Sequence, residues 1–229
     1  MKRNPWICAA VVLASFVSLA SAQEAYSVNA IGVVKKEVPA GKLVFISFPL
    51  DGEGAVAEGT PFQSVSSISN MPNGSVANFW DVETQRWVVQ LKTAKGGWGT
   101  QANRLIQPGE AFFLKNSQTT NMTLLFTGEV PADASMSQGL ASGAFIAGAN
   151  PYPVATVLSN FAFASTMANG SVANFWDVET QRWVVQLKTA KGGWGAQASR
   201  EVAPGEGFFL KSYSGDLTWT ETRPYTWPD

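Results

Sequence analysis

One stretch of 27 residues occurs twice in this chain without a single difference, at 73–99 and again at 169–195. The match extends at an offset of 96 residues to Met71–Lys115 and Met167–Lys211, 45 aligned positions with 38 identities. A repeat of this size predicts two copies of one structural module. We place the boundary at the start of the polar, turn-rich segment 130–139, so that module 1 covers 23–130 and module 2 covers 131–229.

Each copy has the periodicity of β-strands. Ser75–Trp80 and Arg86–Leu91 are short and rich in β-branched and aromatic residues, as strands are, and we interpret 81–85 as the hairpin loop between them. A Pro-Gly turn precedes a further strand at 111–115. Five or six strands per module predict an all-β fold of two tandem antiparallel modules, each a β-sandwich or a partly open barrel.

The segment 26–38 is also extended in character and carries Lys35 and Lys36. Charge of this kind keeps an exposed strand edge from pairing with other chains. The sequence therefore predicts a protected edge strand here.

The N-terminus has the order of a secretory signal peptide: Lys2 and Arg3, an apolar run over 6–19, and the small residues 20–22. The run is shorter than the ~20 residues that span a bilayer. We predict cleavage after Ala22, a signal peptide at 1–22, and a secreted, periplasmic or cell-surface protein with no membrane span after signal removal.

The amino-acid composition excludes several kinds of catalytic and metal-binding site. Cys8 leaves with the signal peptide and the chain has no His, so thiol nucleophiles, disulfides, imidazole bases and His-ligated metals are excluded. The remaining net charge is slightly negative with no basic cluster, which argues against nucleic acid as a partner. No cofactor or metal is indicated, and the Asp and Glu spacing matches no calcium repeat.

The glycine loops around Trp98 and Trp194 are the first candidates for a ligand site. Three glycines flank each Trp, which gives a mobile backbone and little cover for the ring. Two exposed rings would offer bivalent stacking faces to a polysaccharide or cell-surface glycan. The alternative is that each ring folds back over its module.

Trp87 and Trp183 are the second candidates. With a five-residue hairpin loop, Trp80 would lie opposite Arg86, and Trp87 would fall one position further on. The two Trp of each hairpin would then either cover one end of the sheet or leave Trp87 and Trp183 facing outward for a sugar.

Carboxylates recur at Asp81, Glu83 and Glu110 and at their copies Asp177, Glu179 and Glu206. Glycosidases need two carboxyl groups facing each other across a cleft. Turn chemistry explains each of these positions without catalysis, and no acid and base can be paired from the sequence. We therefore assign no catalytic residues and expect a protein that is not an enzyme.

Several motifs carry a resemblance to known exported proteins: the start at 26–32, the Asn78–Asp81 hairpin, the Gly97-Trp98 loop, Pro108–Phe113 and 127–131. Together they resemble a family of uncharacterised exported tandem β-module proteins of verrucomicrobial and planctomycete type, over essentially the whole mature chain. The second copy, with 147–153 and 204–210, is similar to a β module in large secreted proteins of gliding bacteria. The resemblance implies a β fold and no catalytic residues.

Three functions remain open from the sequence. The first is a non-catalytic, exported surface, matrix or envelope protein that binds glycan through Trp98 and Trp194. The second is a structural repeat protein that self-assembles through sheet edges, and the third is a hydrolase. A further arrangement pairs the two modules about a pseudo-twofold axis and hides the repeated hairpins between them.

Overall fold

The computed structural model describes residues 30–226. The predicted signal peptide, residues 26–29 of the motif at 26–32, and Trp227 lie outside the described residues.

Module 1 contains eight strands: β1 (Ile31–Val38), β2 (Leu43–Ser47), β3 (Thr60–Pro61), β4 (Val76–Asp81), β5 (Arg86–Leu91), β6 (Leu105–Ile106), β7 (Ala111–Lys115) and β8 (Met122–Glu129). Module 2 repeats them in order as β9 (Ser135–Leu140), β10 (Phe145–Ala149), β11 (Thr156–Val157), β12 (Val172–Asp177), β13 (Arg182–Leu187), β14 (Glu201–Val202), β15 (Gly207–Lys211) and β16 (Leu217–Thr222). One short helix, α1 (Ala162–Thr166), and four 3₁₀ turns complete the described chain; the turns lie at Phe62–Ser64, Gly99–Gln101, Leu158–Asn160 and Gly195–Gln197. The predicted strand number is too low because strands of two residues, such as β3 and β6, have no detectable period.

The sheets of the two modules have the same topology. In module 1, a four-stranded sheet of order β2-β7-β4-β5 faces the two-stranded ribbon β1-β8, and β3 pairs with β6. In module 2, the order is β10-β15-β12-β13, with the ribbon β9-β16 and the pair β11-β14. All these strand pairs are antiparallel. The all-β prediction is confirmed, and since no sheet within residues 30–226 closes into a barrel, the modules are sandwiches.

Each module buries its own core between ribbon and sheet. In module 1, Val34 and Phe126 of the ribbon meet Phe79 and Phe112 of the sheet, and all four side chains are buried. Module 2 has a separate core of the same kind. Alternating burial along these strands is what the period-2 pattern predicts.

The outer faces of the two four-stranded sheets pack against each other. Phe45 and Phe113 of module 1 and Phe209 of module 2 are the buried centre of this contact, and four Trp surround them: Trp80, Trp87, Trp176 and Trp183. Rings from both modules interleave; Trp87 stacks on Phe209 at 5.6 Å between centroids, and the Trp176 ring meets Phe113 edge-on at 4.9 Å.

Hydrogen bonds across the contact are reciprocal, as a pseudo-twofold arrangement requires. The Trp80 indole N–H donates to the Phe145 carbonyl at 2.8 Å, and the Trp176 indole N–H donates to the Leu43 carbonyl at 2.9 Å. Gln85 bonds both the N–H and the C=O of Phe145, and its copy does the same to Leu43. The pseudo-twofold pairing considered from the sequence is therefore observed.

The hairpin register differs from the predicted one. Trp80 lies directly opposite Trp87, and Asp81 lies opposite Arg86. The strand continues through Asp81, and the loop has only the residues 82–85, because Gln85 adopts a positive φ of 55° that reverses the chain in a tighter turn. Both Trp of each hairpin consequently share one face and point into the contact between modules.

The two cores have different residues at one pair of equivalent positions. Ile46 and Leu124 of module 1 are buried, and the equivalent strand positions in module 2 hold Gly148 and Trp219. A Cβ added to Gly148 would lie 3.1 Å from the Trp219 ring and 3.1 Å from the Phe208 ring. The large indole thus occupies the space that a side chain at Gly148 would need.

We expect Gly148→Ile to lower the free energy of unfolding by about 1–3 kcal/mol through overpacking. Adding Trp219→Leu should restore much of that loss, since the pair would then match Ile46 and Leu124. Urea denaturation of the two single variants and the double variant measures the coupling. Strictly additive effects would contradict the complementary packing.

Candidate functional site

Trp98 and Trp194, the predicted ligand platforms, are buried. Their side chains are 2% and 4% exposed. Each indole N–H donates inward to a backbone carbonyl, that of Ile68 at 3.2 Å and that of Ala164 at 2.9 Å. Of the two alternatives for these positions, the exposed stacking face is wrong, and the ring that folds back over its module is observed.

The glycines explain this inward position. Gly97 and Gly99 both have a φ of 52°, a conformation that favours glycine, and the Thr93 and Gly97 backbones exchange hydrogen bonds of 2.9 and 3.0 Å. The loop therefore closes as a tight turn that carries the Trp98 ring onto the core. The glycines in the sequence indicated a conformationally free loop, but they did not indicate that the loop directs the Trp98 ring toward the core.

Trp87 and Trp183 are also not free to stack on a sugar. Both are partly buried against the other module and belong to the aromatic contact. Trp87 packs on Phe209, and Trp183 packs on Phe45 and Phe209. The outward-facing alternative is wrong for these residues because their sheet face is covered by the second module.

The recurring carboxylates are engaged in local structure. Asp81 Oδ1 accepts the backbone N–H groups of Glu83 and Thr84, each at 3.0 Å, and these bonds lower the pKa of Asp81. Glu110 bonds the Arg104 guanidinium at 2.7 Å and the Gln107 backbone N–H at 3.1 Å.

These contacts repeat at Asp177 and Glu206 in module 2. A general acid needs a raised pKa, and Asp81 shows the opposite shift. The hydrolase hypothesis gains no support from this arrangement. Among residues 30–226, no group of three or more Cys, Asp or Glu side chains could hold a metal ion.

Two clefts flank the contact between the modules, one on each side of the pseudo-twofold axis. One of them is open, with a volume of about 560 Å³. Its walls are the 81–83 loop and 104–110 of module 1 and the 137–139 part of β9, and Ile146 and Ala147 also line it. At the equivalent place on the other side, the Lys42 side chain bonds Glu179 at 2.7 Å and the Lys36 side chain lies against Gly205.

The strand edges of the molecule fall into three kinds. The edge of β2 is covered by module 2, since Ser47 N–H donates to the Gly205 carbonyl at 3.0 Å. The edge strand β1 carries Lys35 and Lys36, as predicted, and also Glu37, which pairs with Lys35 at 3.1 Å. The edges of β5 and β13 are uncovered and have the uncharged sequence Trp-Val-Val-Gln-Leu after their first Arg.

Exposed apolar side chains accompany these two open edges. Val89 is 64% exposed and its copy Val185 is 62% exposed. Leu91 and Leu187 are about half exposed beside them. They continue the apolar sheet face that the contact between modules buries, and sequence reasoning did not single them out.

Comparison of the chain with protein-family models, with curated proteins and with solved structures yields no match. In the part of the chain that the structure describes, no helix has the length and apolar character to cross a membrane.

We expect Trp98→Ala to lower the free energy of unfolding by about 3–5 kcal/mol, because it removes a buried indole from the core. Val89→Ala, at an exposed position, should change it by less than about 0.5 kcal/mol. Urea denaturation of both variants tests this. A Trp98→Ala variant as stable as the parent protein would contradict the buried position of the ring.

The hairpin carboxylates give a pH prediction. The folded state lowers the pKa of Asp81 and Asp177 below the ordinary 3.8, so their stabilisation is complete above that pH and is lost as the pH falls through the lowered folded pKa. Asp81→Ala with Asp177→Ala should lower the unfolding midpoint at neutral pH and flatten the acid side of the stability profile. Thermal unfolding as a function of pH measures both effects; a parallel profile would contradict the assignment.

Proposed function

We propose that the protein is an exported, non-catalytic structural protein that assembles with copies of itself through the open edges of β5 and β13. The observation that carries this proposal is the pair of uncharged edges with exposed Val89 and Val185. Uncovered apolar edges of this kind are sites of chain-to-chain pairing unless charge or cover protects them. The predicted signal peptide supports a location outside the cytoplasm, on the surface or in a matrix.

Some backbone N–H and C=O groups of β5 point away from β4 and can bond a partner strand. Lys92 N–H donates to the Ser75 carbonyl at 2.8 Å, which sets the alternation of an antiparallel ladder. The backbone groups of Trp87, Val89 and Leu91 then point away from β4. The Leu91 carbonyl already accepts a bond from the Gln90 side chain at 2.8 Å, so the groups of Trp87 and Val89 and the Leu91 N–H remain for a partner strand.

The chemistry of the edge favours a second copy as that partner. When β5 pairs antiparallel with the same strand of another molecule, centred on Val89, the Val89 residues lie opposite each other and Trp87 lies opposite Leu91. No charged side chain lies within the paired residues 87–91. Arg86 lies opposite Lys92 of the other copy at each end, where the Lys92 ammonium is already bonded to the Ser69 and Met71 carbonyls of its own molecule. The contact also extends the apolar face that already holds the two modules together.

The number of open edges in each molecule follows from the repeat. Because β5 and β13 have the same sequence and lie on pseudo-twofold related sheets, each molecule has two equivalent edges. One edge per molecule would give dimers, whereas two edges propagate into a linear assembly. The glycan-binding hypothesis is less well supported, since its four Trp candidates are buried or covered by the second module.

The presence of two open edges in each molecule can be tested by the size of the assemblies. Sedimentation velocity of the chain without residues 1–22 should show oligomers larger than dimers that grow with concentration. Val185→Lys should limit assembly to dimers through β5, and Val89→Lys with Val185→Lys should leave monomers. Pairing would bury each introduced ammonium without a partner, at a cost of roughly 1–3 kcal/mol, which corresponds to about 5- to 150-fold in Kd.

Val33→Lys is the matched control, because Val33 in β1 is 63% exposed but lies on the edge strand that is already charged. It should assemble like the parent protein. A monomeric parent protein at all concentrations would sink the proposal, as would equal effects of Val33→Lys and Val185→Lys. Circular dichroism of each variant verifies that folding is unchanged.

A further inference from the structure

The two clefts beside the contact between modules share part of one wall and differ in the other. The shared part has the carboxylates Asp81, Glu83 and Glu110 in the open cleft and the same residue types in the filled one. Two further lining residues of the open cleft, Leu105 and Gln107, are replaced by Glu201 and Ala203 in the filled one. The facing ribbons and strand starts lie outside the repeat and differ. The groups that this wall binds in the filled cleft therefore indicate which groups it can bind in the open one.

In the filled cleft, the shared wall holds lysine. Lys42 Nζ lies 2.7 Å from Glu179 Oε2 and 3.2 Å from the Glu179 carbonyl oxygen. Lys36 enters from β1 with its Cε against Gly205, and it interacts electrostatically with Glu206. Burial lowers the pKa of Lys36, and the negative charge of Glu206 opposes that shift.

In the open cleft, both lysines are missing. The strand registers show that Gln138 occupies the position of Lys36, opposite Trp219 instead of Leu124. Ala144 occupies the position of Lys42, directly before β10. The Gln138 side chain lies against Gly109, the copy of Gly205, and donates to the Pro108 carbonyl at 3.3 Å, so a neutral amide takes the place of the Lys36 side chain.

The carboxylate side of the site is nevertheless complete. Glu83 corresponds to Glu179 and forms no ion pair within residues 30–226. Glu110 corresponds to Glu206 and keeps its arginine partner, as Glu206 does. With Asp81 also in the wall, the cleft has three carboxylates against the single guanidinium of Arg104.

The packing of the loop also differs between the clefts. Val178 packs against the core of module 1, whereas its copy Val82 is 47% exposed. The open cleft thus has free volume next to an apolar side chain as well as carboxylates. An alkyl chain that ends in an ammonium matches both features, as the lysine side chains do on the other side.

We propose that the open cleft binds a ligand with a primary ammonium group on an alkyl chain, held by Glu83 in the place that Lys42 takes beside Glu179 in the filled cleft. The ligand is either a free alkyl diamine or a lysine side chain of another protein. Neutral sugars and anions lack the positive charge that the three carboxylates attract. This site is separate from the β5 and β13 edges and does not depend on assembly.

The probes are pentane-1,5-diamine and the tripeptide Gly-Lys-Gly, titrated into the ¹⁵N-labelled chain without residues 1–22 and followed by NMR. To keep the molecule monomeric, the titration uses the Val89→Lys, Val185→Lys background if the parent protein assembles. Shifts should concentrate at Asp81, Glu83, Glu110 and the Trp80 indole N–H, with half-saturation on the order of 10 mM or above, as expected for solvent-facing ion contacts of about 1 kcal/mol and a partly buried alkyl chain. Binding of the diamine alone indicates a free amine, and binding of Gly-Lys-Gly indicates a protein lysine.

The repeat supplies the matched control. Glu83→Gln should weaken binding about fivefold or more, whereas Glu179→Gln, in the filled cleft, should leave it unchanged. Gln138→Lys with Ala144→Lys should fill the open cleft and abolish binding. Glucose and acetate serve as neutral and anionic probes.

Three outcomes would overturn the proposal. The first is the absence of shifts at the cleft with either amine. The second is an equal response of Glu83→Gln and Glu179→Gln. The third is that glucose produces the same cleft shifts as the amines, which would assign the cleft to a neutral ligand.

Discussion

The packing of two sheet faces against each other is the constraint on which the rest of this structure depends. Each four-stranded sheet is apolar on both sides, with one side in its module core and the other against the second module. Aromatic pairs such as Trp80 with Phe209, at 4.7 Å, add about 0.5–1.5 kcal/mol each beyond the area that they bury. The reciprocal indole and Gln85 bonds then satisfy strand-edge groups that this packing buries. Neither sheet could leave this face to solvent without exposing several aromatic rings.

Both proposed functions arise at the borders of that contact. The two modules cover the edges of β2 and β10 but leave β5 and β13 at the outside, where the apolar face continues as Val89 and Val185. The loops that frame the contact also create the two clefts. One cleft is filled by the chain's own lysines, and the other keeps its carboxylates facing an open volume. Near-symmetry produces equivalent surfaces, and the residues outside the repeat decide how each surface is used.

Much of the fold could be predicted from the sequence, and the site could not. Alternating β-branched and aromatic residues in Val76–Asp81 and Arg86–Leu91 predicted the hairpin, because a strand's side chains alternate between two faces. The pattern could not show that both faces would be buried, so Trp87 remained a candidate for an outward position. For Trp98, the sequence showed that the flanking glycines allow unusual backbone conformations. It did not show that the ring points inward, because that direction depends on the carbonyl of Ile68, thirty positions away in the chain. Lys36 and Gln138 looked unrelated in sequence until the strand registers placed them at equivalent positions.

The sequence by itself determined the duplicated all-β architecture, the charged edge of β1 and the turn role of Asp81, because these follow from local periodicity, repetition and short-range hydrogen bonds. The tertiary structure alone decided which Trp are covered, which edges stay open and which of the two clefts is filled. Those properties depend on contacts between residues about 60 to 140 positions apart, such as Trp80 with Phe145 and Lys42 with Glu179. A sequence pattern does not show which distant residues form such pairs, because the pairs exist only in the folded chain.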